Sequence, residues 1–262
     1  MAGIREPVVA GLFYPAEPGA LRDEVRRYLS AAATSGEAPP KAIIAPHAGY
    51  VYSGPVAGTA YARLAALRGT VRRVVLLGPC HRVAFRGIAA SSAERFRTPL
   101  GDIATDTAAL EALARFPQVN LLDAAHAQEH SLEVHLPFLQ EVLGDFTLVP
   151  LVVGDATAAE VAEVLEALWG GPETLVVISS DLSHYHDYPT ARARDAATTR
   201  AIEALRLENL DHEDACGRTP IIGLLEVARR HGYTVENVDL RNSGDTAGPR
   251  DRVVGYGAYV LH

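Results

Sequence analysis

Lysine is almost missing from this chain: Lys41 is the only one, although Lys and Arg together number 24 among 262 residues. Schiff-base chemistry therefore has a single candidate, and the arginine excess beside abundant alanine reads as coding bias. Two cysteines, Cys80 and Cys216, are too few for a disulfide scaffold. They leave thiolate ligation, redox chemistry or a small buried apolar role. Basic runs stop at the pairs Arg26-Arg27, Arg72-Arg73 and Arg229-Arg230, and the formal net charge is -8, which disfavours a nucleic-acid surface. No apolar run approaches the roughly 20 residues that cross a bilayer. Residues 1–7 lack the basic and long apolar regions of a signal peptide, so a cytoplasmic location is expected. Phosphate-binding GxxxxGK, GxGxxG after a strand, the GxSxG elbow and HExxH are all absent, which moves nucleotide hydrolysis and serine hydrolase chemistry into the background.

Apolar residues make up 48% of the sequence, ample for a large core, and no linker, repeat or low-complexity break divides residues 1–262, so one domain is expected. Three short apolar runs each lead to a histidine: Ile43-Ile44-Ala45-Pro46-His47, Val74-Val75-Leu76-Leu77-Gly78-Pro79-Cys80-His81, and Val176-Val177-Ile178-Ser179-Ser180-Asp181-Leu182-Ser183-His184. Such runs are continuous in branched residues rather than alternating, the pattern of a parallel strand buried on both faces. Each imidazole then falls at a strand's carboxyl end, where open α/β sheets bind ligands. Three nitrogen donors gathered at one sheet edge are raw material for a metal or acid/base site.

Around these runs, helices and strands alternate, which predicts an α/β fold with a mostly parallel central sheet flanked by helices. Leu21, Val25, Tyr28 and Leu29 mark a first helix after the turn-rich Gly11-Leu12-Phe13-Tyr14-Pro15, and residues 31–40 read as a loop. A second helix carries Val56, Ala60, Leu64 and Leu67 with Pro55 near its start. Asp106 to Phe116 reads as an aspartate-capped helix, and Glu129 to Leu143 as a helix perturbed by Pro137. Further strands are expected at Gly87 to Ser91, Phe146 to Val153, Thr174 to Ser180, Tyr233 to Arg241 and Val253 to Leu261. The remaining helices are Thr157 to Trp169, Pro189 to Leu205, and one opened by Pro220, capped by Thr219 and running to Arg230. Cys216 precedes that last helix and would feel its positive end. Residues 84–106 and 242–252 read largely as long loops, shaping either a pocket or a subunit contact.

Five ordered motifs, Ala45-Pro46-His47-Ala48-Gly49-Tyr50, Gly78-Pro79-Cys80-His81, Glu129-His130-Ser131-Leu132-Glu133-Val134-His135-Leu136-Pro137, Ser179-Ser180-Asp181-Leu182-Ser183-His184 and Cys216-Gly217-Arg218-Thr219-Pro220-Ile221, closely resemble the Memo family over nearly the whole chain. The resemblance implies a fold like that of class III extradiol ring-cleaving dioxygenases, non-haem iron enzymes that use two histidines and a glutamate as ligands. By motif, His47 and His81 match the histidine ligands, His184 matches the acid/base histidine, and Cys216 falls where the carboxylate ligand stands. Cys80 replaces the serine associated with its motif position. The family is linked to iron or copper binding and redox chemistry. Its eukaryotic members are described as adaptors for phosphotyrosine-containing partners, and its prokaryotic ones imply a radical-SAM protein partner.

A His-His-Cys set is softer than a His-His-carboxylate one and suits copper(I), iron(II) or zinc by different arguments. Two neutral imidazoles and a thiolate must form, so occupancy should rise with pH. Asp181 would orient a ligand, complete the coordination or merely cap a turn. His184, if unligated, would move a proton to oxygen, peroxide or a phenolic substrate. Were it also a ligand, the site would be closed and structural, in the manner of zinc. His130 and Glu133 are expected as substrate contacts. Tyr50, Tyr52 and Tyr185 would wall an aromatic pocket or simply pack. A Cys80-Cys216 redox pair would need the two sulfurs in contact. His186 reads as loop.

Overall fold

Val74 to Leu77 and Leu175 to Ile178 show no polar alternation because helices cover both of their faces, and every one of these residues is buried. The computed structural model describes residues 3–32, 38–211 and 213–262. In chain order the strands are β1 (Ile4–Arg5), β2 (Ala42–Ala45), β3 (Arg73–Pro79), β4 (Ile88–Ala90), β5 (Arg95–Thr98), β6 (Gly101–Ala104), β7 (Val119–Leu121), β8 (Thr147–Val153), β9 (Thr174–Ser179), β10 (His184–His186), β11 (Val235–Asn242) and β12 (Val253–Leu261). The α-helices are α1 (Pro18–Ala31), α2 (Tyr50–Ala62), α3 (Thr107–Leu113), α4 (Asp123–Ala127), α5 (Leu136–Leu143), α6 (Ala158–Leu168), α7 (Tyr188–Glu203), α8 (Arg218–His231) and α9 (Ser243–Thr246).

The main sheet runs β10-β12-β2-β9-β3-β8-β4-β7, with β11 also paired to β12. Its centre, β2-β9-β3-β8, is parallel. β12 and β4 join this centre antiparallel, so the whole sheet is mixed. Successive side chains leave opposite faces. Ile43, Val74, Leu76 and Val177 pack with Leu21, Val25, Tyr61 and Leu139 of α1, α2 and α5. Ile44, Val75, Leu77 and Ile178 pack with Val161, Leu165, Ile221 and Leu225 of α6 and α8. A second sheet, β1-β5-β6, is small.

Helix starts follow side-chain chemistry where a cap is available. Thr157 opens α6 with a capping box to Glu160, and Asp106 accepts from the Ala109 N–H at 2.9 Å to open α3. Several expectations need correction. The segment expected as one helix from Glu129 to Leu143 is a loop, then a 3-10 turn at Glu133–His135, then α5, with Pro137 in the first turn where its missing N–H costs nothing. Pro55 lies inside α2, which starts at Tyr50. Thr219 does not cap α8; Gly217 takes that position without a side-chain bond. Residues 84–106 contain β4, β5 and β6 rather than a long loop, residues 242–252 contain α9, and His186 is in β10. Of the expected loop at 31–40, residues 33–37 lie outside the described residues. Among the described residues, no helix is long and apolar enough to cross a membrane.

Candidate metal centre

Parallel neighbours end together, so the residues just past their carboxyl ends converge. β2, β9 and β3 are adjacent, and His47, Asp181 and His81 each stand two residues past the end of their strand. This assigns to Asp181 the position expected of His184, because β9 stops at Ser179 and His184 instead begins β10 at the sheet's edge. Cys216 arrives from the opposite direction, ahead of α8, whose Ile221, Leu224 and Leu225 are buried against the sheet. Gly217 permits that approach: a Cβ there would stand 2.5 Å from the Ser179 carbonyl oxygen.

One ligand atom each from His47, His81 and Cys216 lies within 4.8 Å of the other two, a spacing that could hold a metal ion. Cys216 Sγ stands 3.4 Å from His47 Nε2. His47 is buried, and burial together with the His81 and His130 imidazoles holds its pKa well below 6.5, so it is neutral and ready to donate. Its Nδ1 lies 2.6 Å from Ser179 Oγ, and its backbone N–H donates to Asp181 Oδ1 at 2.8 Å. Burial pushes the Asp181 carboxyl upward, against the pull of His184 and the His47 N–H. Burial and Asp181 push the Cys216 thiol up to about 12. Desolvation thus outweighs the helix end expected to lower it, and the metal-free cysteine is a thiol.

Sequence reasoning missed Glu129. Its Oε1 lies 2.9 Å from His81 Nδ1 and its Oε2 accepts the His81 backbone N–H at 2.6 Å. Burial raises its pKa, but these bonds prevail and hold it down at about 2. The assumed helix concealed this residue, because helical spacing turns Glu129 away from His130's neighbours. His81, Glu129 and His130 also form a compact donor group. Glu129 already accepts three backbone N–H groups and lies against the Nδ1 atoms of His81 and His130, at 2.9 and 3.3 Å, so its lone pairs are committed there.

Above these donors opens a cavity of about 1090 Å³ lined in part by Tyr50, Tyr52, His130, His184, Tyr185 and Tyr256. His130 stacks on His81 with ring centroids 4.7 Å apart. His184 reaches the same cavity, and among the described residues no hydrogen bond holds its ring. Tyr50 presents only its ring, since its hydroxyl donates to the Val134 carbonyl at 2.7 Å. Glu133 is a correction: it is buried away from the cavity, ion-paired to Arg5, and accepts from the Val8 and Val9 N–H groups and from Tyr14 Oη. His135 is fully interior and lies 2.7 Å from Tyr61 Oη through Nδ1. Both cysteines are free, and Cys80 donates to the Val83 carbonyl.

Behind the Asp181–His184 loop, the buried Asp195 accepts the Ser183 N–H at 3.1 Å, and burial pushes its carboxyl up to about 6. The folded state therefore binds this proton more tightly than the unfolded chain, whose value is 3.8. Stability from this group falls as pH rises between those values and stays reduced above them. Asp195→Asn, which keeps the acceptor, should raise stability at pH 7.5 by about 1 to 3 kcal/mol and remove that slope, as urea unfolding at pH 4.5 and 7.5 would show.

A mixed sheet whose parallel strands bring two imidazoles to one edge, where a thiol from just before α8 meets them, defines an α/β protein with a candidate metal centre. The chain belongs to the Memo family, whose description, Memo-like protein, matches residues 5–260. MEMO1 family proteins of Aquifex aeolicus (36% identical, 97% of each chain), Thermotoga neapolitana (36%, 98% of this chain and 99% of the relative) and Methanococcoides burtonii (37%, 98% and 100%) are similar along their whole length. An uncharacterised protein of Escherichia coli K12 of known crystal structure shares the fold, with TM-score 0.51 and 16% identity over 84% of this chain and 98% of that one.

Proposed function

We propose that this chain is a metal-dependent redox protein acting on a small phenolic molecule, with iron(II) or copper held by His47, His81 and Cys216. The carrying observation is that three donors within 4.8 Å of one another lie at the floor of a cavity of about 1090 Å³. Two imidazoles and one thiolate fit a soft or borderline ion, and a three-ligand set leaves room for an exogenous molecule. Such an ion supplies Lewis acidity and electron transfer when bound. The protein's residues do the rest. Tyr50, Tyr52, Tyr185 and Tyr256 offer ring faces to an aromatic ligand. Asp181 and His184 share the cavity and act as the pair that takes and returns a phenolic proton.

Metal analysis of protein purified without oxygen should give about one iron or copper per chain, and a catechol panel should then elicit oxygen uptake. His184→Ala should keep the metal and lose the uptake. Stoichiometric zinc with no uptake would overturn the redox reading. The mouth of the cavity favours a second one: Leu12, Val51, Tyr52 and Tyr185 are exposed there, the kind of apolar rim that receives a peptide. A peptide bound through that rim alone would keep its affinity in His47→Ala.

A further inference from the structure

His47 and His81 are tied to the same three residues, although they stand at the ends of different strands. Ser179 Oγ donates its only proton to the Ser131 carbonyl, at 2.6 Å. It must then accept from the group 2.6 Å away on its other side, His47 Nδ1. His47 thus carries its proton on Nδ1 and leaves Nε2 bare, the nitrogen that stands 3.4 Å from Cys216 Sγ. His81 is fixed in the same way. Glu129 accepts N–H groups from His81, His130 and Ser131, at 2.6, 2.9 and 2.9 Å, and is an acceptor toward all of its neighbours. The His81 Nδ1 at 2.9 Å must therefore carry a proton, and in the neutral ring Nε2 is again the bare nitrogen.

We propose that Glu129-His130-Ser131 is a clamp that locks both imidazoles as Nδ1–H tautomers, making Glu129, Ser131 and Ser179 the positioning residues of the metal centre. The clamp is itself pinned. Ser131 Oγ donates to the Pro79 carbonyl at the end of β3, at 2.8 Å, and Arg5 donates to the Glu129 carbonyl. Gly78 gives it room, since a Cβ there would lie 2.9 Å from Ser131 Oγ and 3.1 Å from the Ser179 Cβ. A ring held in one tautomer and one orientation binds a cation without reorganisation, and a carboxylate on its far nitrogen raises its basicity. The metal part of this inference rests on the function proposed above; the tautomer part does not.

Long-range proton–nitrogen NMR spectra of the metal-free protein, labelled at histidine, read the tautomers directly. Both His47 and His81 should appear as Nδ1–H in the wild type. Ser179→Ala should release His47 into a mixture while leaving His81 unchanged, and Glu129→Gln should do the reverse. Each variant should weaken Zn2+, titrated against a competing chelator, by about 10- to 100-fold, with the far-UV circular dichroism of the wild type. An Nε2–H form of either ring in the wild type would overturn the clamp whatever the metal does. Locked tautomers with Zn2+ affinity unchanged within twofold in Ser179→Ala would overturn its positioning role. Should Glu129→Gln not fold, Ser179→Ala and the wild-type spectrum still decide. Failure of the wild type to bind Zn2+, iron(II) or copper(I) would refute the metal reading and with it the positioning role, while the spectrum would judge the clamp alone.

Discussion

Cys216→Ala is expected to lower affinity for copper(I) by more than the ~10²-fold that losing a supporting hydrogen bond can cost, because it removes a donor outright. The fold should survive: Cys216 stands in a loop, and α8 is anchored by Ile221, Leu224 and Leu225. The pH profile gives a sharper signature. In the metal-free protein the thiol is pushed up to about 12, so binding must expel its proton. His47 is held well below 6.5 and has none to lose above neutrality. Affinity of the wild type should therefore climb about tenfold per pH unit from pH 7 to 9, and that dependence should flatten in Cys216→Ala. Competition with a chelator at three pH values would measure both. An unchanged slope in the variant would remove Cys216 from the ligand set.

Glu133→Ala should destabilise the protein by about 3 to 5 kcal/mol, because it strands the Arg5 guanidinium in the interior. The carboxylate receives Arg5, the Val8 and Val9 N–H groups and Tyr14 Oη, and so ties the amino-terminal segment to the turn Glu133–His135. Arg5 also donates to the His126 and Glu129 carbonyls, which places this ion pair beneath the candidate metal centre. Urea unfolding of Glu133→Ala, and of the Arg5→Met/Glu133→Leu pair, would test the claim: the double variant should recover most of the loss, since two well-packed apolar chains replace a buried ion pair at little cost. Ligand affinity per folded molecule should stay near wild type in Glu133→Ala, as Glu133 does not line the cavity and Arg5 remains to hold the Glu129 carbonyl.

The parallel centre is legible in the sequence because burial on both faces leaves a plain mark, a short unbroken apolar run. His47 and His81 are legible for the same reason, since a residue just past such a run must stand at the sheet's edge. Glu133 misleads because residues 129–143 contain apolar positions at helical spacing, while residues 129–132 form no helix and are tied to Arg5 and Ser179 instead. β5 and β6 escape notice because Arg95–Thr98 and Gly101–Ala104 are short and half polar, stabilised by pairing with each other.

Local chemistry, written into the order of residues, determined which segments become buried strands, where α3 and α6 begin, that the chain resembles the Memo family, and which donors stand beyond the strands. Tertiary structure alone decided that Cys216 meets His47, that Asp181 rather than His184 takes the equivalent place after β9, and that Glu129 orients His81 while Glu133 serves the fold. The physical reason is that burial and strand periodicity act within a few residues, whereas a hydrogen bond or ion pair between segments some 50 to 170 residues apart depends on which strands lie side by side.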